Sequence, residues 1–205
     1  MLVEQLKQAR LLPVVTAVDV DSTLLLAQAL QRGGMLAIEV TLRTSAGLDA
    51  IIAVKQACPD LWVAAGTVTH PAELEKLAAM GIDLALSPGA SLELLDAARD
   101  LPLDFVPGVA TPSEVMAAQL RGYEVCKLFP ATVVGGLGML KALSGPFPGM
   151  QFCPTGGLTP DNFRDFLSQS NVVCCGGSWM VAPNLVREGC WDEIERLSRE
   201  AMSDA

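Results

Sequence analysis

Eight short apolar runs punctuate the chain, and their alternation with amphipathic stretches limits the folds open to it. The runs are LPVVTAV (12–18), MLAIEV (35–40), LWVAAG (61–66), DLALS (83–87), LDFVPG (103–108), EVCKLF (124–129), QFCPTG (151–156) and VVCCGG (172–177). Most are bounded by Gly, Pro, Ser or Thr, as strands are. Between them lie stretches such as DSTLLLAQALQRGG and PAELEKLAAMG, several of which open on Ser, Thr, Asp or Pro and stop at Gly or Pro. Strands that are apolar throughout and separated by helices make a parallel sheet, covered on both faces. Eight such units predict closure into a (β/α)8 barrel, one domain over 1–205, near the lower size limit of that fold. A helix over about 2–10 is expected to cap the barrel floor, and a last helix over about 191–203 to pack outside. The competing architecture is an open doubly wound sheet. Against it, the first strand-to-helix turn, VTAVDVDS, lacks a G-x-G-x-x-G fingerprint.

Composition narrows the function classes. With 51% hydrophobic and 18% charged residues, the chain has ample material for a core. A net charge of −9 disfavours nucleic acid as a partner, yet leaves room for a locally positive pocket around a phosphorylated small molecule. MLVEQLKQAR mixes charge too closely for a signal segment, and the apolar runs break well short of membrane length, so no membrane partner is expected. Cys126, Cys153, Cys174 and Cys175 fall inside the runs, as reduced buried thiols of a cytoplasmic protein would. There is no C-x-x-C spacing and one histidine, so no zinc site is expected. That histidine, His70, precedes Pro71 and reads as a helix-start residue.

In a barrel of this kind chemistry sits at the C-terminal ends of the strands. The unusual residues fall there: Glu39, Thr41 and Arg43 at the second run, Gly66-Thr67 at the third, Ser87-Pro88-Gly89 at the fourth, Pro107-Gly108 at the fifth, Lys127 in the sixth, Thr155-Gly156-Gly157 at the seventh and Gly176-Gly177-Ser178 at the eighth. Lys127 shares a strand face with Val125 and Phe129. Burial disfavours an ammonium, and a neutral amine can form a Schiff base with a ketone. The plainer reading is a lysine that snorkels to the rim and pairs with a carboxylate. Glu39 shares a face with Met35 and Ala37, and a carboxylate there needs a partner or a task. Arg43 or Lys127 would serve as an ion-pair partner; general acid/base work is the functional alternative. The glycine pairs in PTGGLTPDN and CCGGSWM let backbone amides approach an anion, although glycine pairs also simply make turns. Arg43 suits bidentate capture of a carboxylate or a solvated helix start, and Thr67 a helix cap or a hydroxyl donor.

Taken together, IEVTLRT, AGTV, SPG, VPGVATPSE, KLFPA, PTGG and GGSWM, in this order and spacing, resemble the 2-keto-3-deoxy-6-phosphogluconate (KDPG) and 4-hydroxy-2-oxoglutarate (KHG) aldolase family over essentially the whole chain. The resemblance implies a class I aldolase on a (β/α)8 barrel, a homotrimer, with no metal or organic cofactor. It places the Schiff-base lysine on Lys127 and the acid/base glutamate on Glu39. Arg43 and Thr67 would hold the pyruvate carboxylate, and Phe129 would pack beside the lysine. Pro88 joins the substrate-binding set. Gly156, Gly157 and Ser178 would meet the phosphate. Thr155 would read the substrate hydroxyls; relatives that prefer the galactonate isomer tend to carry valine there, so threonine leans toward gluconate. Leu128 departs from the aromatic found in many relatives. The ligands implied are a phosphorylated keto sugar acid and pyruvate. Competing functions are a phosphogalactonate aldolase, a phosphosugar isomerase or epimerase, a metal-dependent aldolase, and a phosphosugar-binding barrel without turnover.

Overall fold

The structure, a computed structural model, describes residues 2–203. Of the span 1–205 expected to form one domain, Met1, Asp204 and Ala205 lie outside the described residues. Its elements run α1 (Leu2–Ala9), β1 (Leu11–Thr16), α2 (Val20–Arg32), β2 (Ala37–Thr41), α3 (Gly47–Ala57), β3 (Trp62–Gly66), α4 (Pro71–Ala79), β4 (Leu84–Leu86), α5 (Leu92–Arg99), β5 (Asp104–Val106), β6 (Gly108–Val109), α6 (Pro112–Gln119), β7 (Val125–Leu128), α7 (Gly136–Ser144), β8 (Gln151–Phe152), α8 (Phe163–Leu167), β9 (Cys175–Gly177), α9 (Pro183–Arg187) and α10 (Trp191–Met202). Local chemistry sets the helix starts. The Asp19 carboxylate accepts from the Ser22 amide at 2.7 Å ahead of α2. Ser91 accepts from Leu94 at 3.2 Å ahead of α5. Thr111 and Glu114 form a reciprocal capping box at α6, with Pro112 in its first turn. His70 is the cap residue of α4.

The closed eight-stranded (β/α)8 barrel does not form. Parallel strands fall into two sheets, one of six in the order β5-β4-β3-β2-β1-β9 and one of three in the order β6-β7-β8. The sequential run from β1 to β5 also lacks the reversal of a doubly wound sheet. Proline explains the break. Pro107 has no N–H to donate and splits the fifth run into β5 and β6. Pro154 interrupts the seventh run after Phe152, and the eighth is regular strand only from Cys175. Across that seam the pairing reduces to the isolated bridges Phe152–Val172 and Thr155–Gly176.

Side chains alternate across the strands. Leu11, Val15, Ile38, Val40, Cys126 and Leu128 pack outward in the layer under the helices. Leu128 therefore faces away from Lys127. Leu12, Ala37, Ala64, Leu84, Leu86, Val106, Val125, Cys153 and Cys174 point inward, where Leu6 and Ala9 of α1 join them. Met35, grouped by sequence with Ala37 and Glu39, precedes β2 and belongs to the outer layer. Two positions beyond Ala37 and Val125 on the inward face stand Glu39 and Lys127. Leu6 is 0% exposed. Leu6→Ala is expected to lower unfolding free energy by about 2–5 kcal/mol, the usual cost of a large core truncation, as a lower urea midpoint at unchanged slope.

Candidate active site

Glu39 and Lys127 meet inside the cup formed by the two sheets. The Lys127 Nζ lies 2.8 Å from Glu39 Oε1 and 3.1 Å from Oε2, and the two side chains are 4% and 1% exposed. The partner of Glu39 is thus the distant lysine rather than Arg43 four residues on. Burying two charges is costly, and the pair holds because each satisfies the other. Lys127 Nζ also stands 5.6 Å from the centroid of the Phe129 ring, within cation–π range. Space for the carboxylate is made by Gly66 on the neighbouring strand: a Cβ there would lie 2.2 Å from Glu39 Oε1.

A cavity of about 490 Å³ opens above the pair. Its lining includes Lys127, Arg43, Phe129, Thr155, Gly156, Gly157 and Ser178, seven of the residues singled out from sequence. Glu39 reaches it through Lys127. Thr67 reaches it through Arg43, whose Nε donates to Thr67 Oγ1 at 3.1 Å. Thr67 has φ 62°, a left-handed conformation that a β-branched residue adopts only under constraint. Pro88 stands apart from the lining; its backbone packs on Gly108, where a Cβ would come within 2.3 Å of the Pro88 carbonyl carbon. Beside it Ser87 Oγ accepts from the Gly108 amide at 3.0 Å. Thr155 is buried, and Gly176 leaves room for its hydroxyl, 2.2 Å from where a Cβ would be.

The sequence reading overlooked one wall. Val14, Thr16 and Val18 line the cavity, as do Leu158 and Val186. The signal was present: Val14 and Thr16 continue the inward alternation that starts at Leu12.

The thiols are poor competitors as nucleophiles. Cys58, Cys126, Cys153, Cys174 and Cys175 are buried and free. Burial pushes Cys126 up to about 12, and desolvation likewise raises Cys174 and Cys175 well above the ordinary thiol range. Thiolate at Cys126, Cys174 and Cys175 is therefore scarce at neutral pH. Among the described residues no group of three His, Cys, Asp or Glu is arranged to hold a metal ion, and no helix is long and apolar enough to cross a membrane. What remains is a dry amine beside a carboxylate, an arginine and hydroxyls at the mouth, and a glycine turn opposite.

Known proteins are similar to this chain in sequence and in fold. The 2-dehydro-3-deoxy-phosphogluconate aldolase of Pseudomonas aeruginosa is 46% identical over 197 residues, covering 96% of this chain and 89% of its own. The KDPG aldolase of Legionella pneumophila, solved with pyruvate captured at low pH as a covalent carbinolamine intermediate, superposes with a TM-score of 0.96 at 37% identity, over 99% of this chain and 98% of that one. The 2-keto-3-deoxy-6-phosphogluconate aldolase of Zymomonas mobilis with 3-phosphoglycerate gives a TM-score of 0.90 at 34% identity, over 98% of this chain and 94% of that one. Residues 2–197 match the family described as KDPG and KHG aldolase, and the chain belongs to that family.

Proposed function

We propose that this aldolase, a class I lyase, cleaves 2-dehydro-3-deoxy-6-phosphogluconate to pyruvate and glyceraldehyde 3-phosphate, with Lys127 forming the imine and Glu39 moving the protons. The observation that carries this reading is the buried Lys127–Glu39 contact of 2.8 Å at the base of a cavity that reaches the Gly156–Gly157 turn. A proton passed from Nζ to the carboxylate turns a buried ion pair into a neutral amine and a carboxylic acid. The amine adds to the C2 ketone, the Glu39 carboxylic acid gives its proton to the departing hydroxyl, and loss of water leaves a protonated imine, an electron sink. Glu39, again a carboxylate, takes the proton of the C4 hydroxyl. The C3–C4 bond breaks, its electrons form the enamine, and the aldehyde departs. Protonation at carbon and hydrolysis release pyruvate and restore Lys127. A positioned carboxylate of this kind contributes about 10²–10⁴-fold.

The remaining roles follow the same logic. Arg43, fixed by Thr67, would fork onto the pyruvate carboxylate, and Phe129 would lie along the imine. Gly156, Gly157 and Ser178 would receive the phosphate through backbone amides. Pro88 would act through the Gly108 contact rather than by touching substrate. Thr155 offers a hydroxyl to the sugar chain, which supports the gluconate over the galactonate isomer. The lysine end of the site does not need a phosphate, so 4-hydroxy-2-oxoglutarate, cleaved to pyruvate and glyoxylate, is a second substrate in keeping with the family's description. We place the chain as one catalytic domain, in the cytoplasm where its free thiols stay reduced, and as a homotrimer that would cover exposed apolar side chains such as Leu92, Met116 and Leu120.

Borohydride reduction in the presence of pyruvate is expected to leave a pyruvate-sized adduct on the Lys127 peptide, read by mass spectrometry; a folded protein with no adduct would reject the covalent mechanism. Lys127→Arg keeps the charge and is expected to abolish both the adduct and turnover, and an active arginine variant would reject the assignment. Gly66→Ala drives a methyl into the Glu39 carboxylate and is expected to cut kcat by about 10²-fold or more, with Lys127 still present; unchanged kcat would remove Glu39 from the proton path.

A further inference from the structure

Around the Gly156–Gly157 turn, three successive carbonyls are held from outside the cavity. Thr155 O accepts from the Ala131 amide at 2.8 Å. Gly156 O accepts from the Thr132 amide at 3.2 Å and from Thr132 Oγ1 at 3.3 Å. Gly157 O accepts from Asn162 Nδ2 at 3.3 Å, while Asn162 Oδ1 accepts from the Thr159 amide at 2.9 Å. In a trans peptide the N–H points opposite to the carbonyl of the same plane. Each held carbonyl therefore turns the next amide the other way. Those amides belong to Gly156, Gly157 and Leu158, all of which line the cavity, whereas Thr132 and Asn162 do not. Among the described residues none of the three amides donates to a protein acceptor. The glycines carry φ values of 99° and 79°. Thr132 is packed so closely that a Cβ on Gly157 would lie 1.9 Å from its Oγ1.

We infer that Thr132 and Asn162 are positioning residues: by fixing the Gly156 and Gly157 carbonyls they aim the amides of Gly157 and Leu158 into the cavity as preorganised donors for the substrate's phosphate. This rests on the reading that the glycine turn is the phosphate end of the site. Ordered donors are worth most to an ionised acceptor because they do not have to be ordered on binding. Both side chains act on the far, phosphorylated half of the substrate and leave the lysine end alone.

The test compares Thr132→Val, which keeps volume and the backbone amide, and Asn162→Ala with the wild type. Three quantities are read: KM and kcat for 2-dehydro-3-deoxy-6-phosphogluconate, the inhibition constant of inorganic phosphate, and the pyruvate concentration that half-saturates borohydride trapping. The expected result is a KM and a phosphate inhibition constant raised about tenfold, the effect of weakening one hydrogen bond to an ion, with kcat and pyruvate trapping unchanged. If phosphate competes in the wild type and both variants keep its affinity, the positioning role is overturned while the phosphate reading stands. If pyruvate trapping weakens in step with KM, the two residues support the fold rather than the amides, and the inference is overturned. If phosphate does not compete in the wild type, the phosphate reading fails and the inference with it.

Discussion

One ion pair organises the interior. Lys127 and Glu39 stand where side chains are dry, and each charge would cost several kcal/mol to keep there alone. Removing one partner of such a pair typically costs about 3–5 kcal/mol, whereas an apolar replacement of both is often neutral or better. Stability is therefore a weak reason to keep it, and the surroundings are graded to accommodate it. Below it the inward positions are apolar, from Leu12 and Ala37 to Val125. At its level Gly66 yields its side-chain space to the carboxylate. Above it come hydroxyls, with Thr16 Oγ1 accepting from Thr41 Oγ1 at 3.4 Å, then Arg43 and the glycine turn.

The two ends of the cavity are joined by a short piece of chain. Lys127 closes the base of the site, and five residues later Thr132 grips the Gly156 carbonyl. Ala131 between them holds Thr155 by the same kind of bond. The amine and the glycine turn are thus set at a fixed spacing by the segment 127–132 rather than by a flexible loop. A site that must span a small molecule with a reactive carbon at one end gains from such a fixed distance, since misplacement of reacting groups is expensive in rate.

What the sequence made legible follows the range of the forces involved. The helix start at His70-Pro71 depends on a few neighbouring residues, and the ends of the apolar runs show where unusual side chains collect. The inward or outward facing of Leu128 followed from strand alternation alone. Closure did not. Whether eight strands make one continuous barrel depends on ladder hydrogen bonds between distant segments, and Pro107 and Pro154 remove donors at the points where the sheets part. The partner of Glu39 was ambiguous for the same reason: Arg43 is near in sequence, Lys127 is 88 residues away, and only the register of separate strands decides. The roles of Thr132 and Asn162 were hidden because they work through backbone carbonyls, which carry no residue-specific signal.

The opening helix has a consequence for traffic. Among the described residues, Leu6 and Ala9 of α1 fill the apolar end of the cup. Lys127 is 3% exposed at the bottom, while Gly157 and Ser178 are open at the top. Among the described residues the cavity opens at its rim, with the amine at its base. Whatever is held at the rim enters last and leaves first, and whatever is held at the amine waits behind it. The order of departure is set by the architecture before any chemistry is considered.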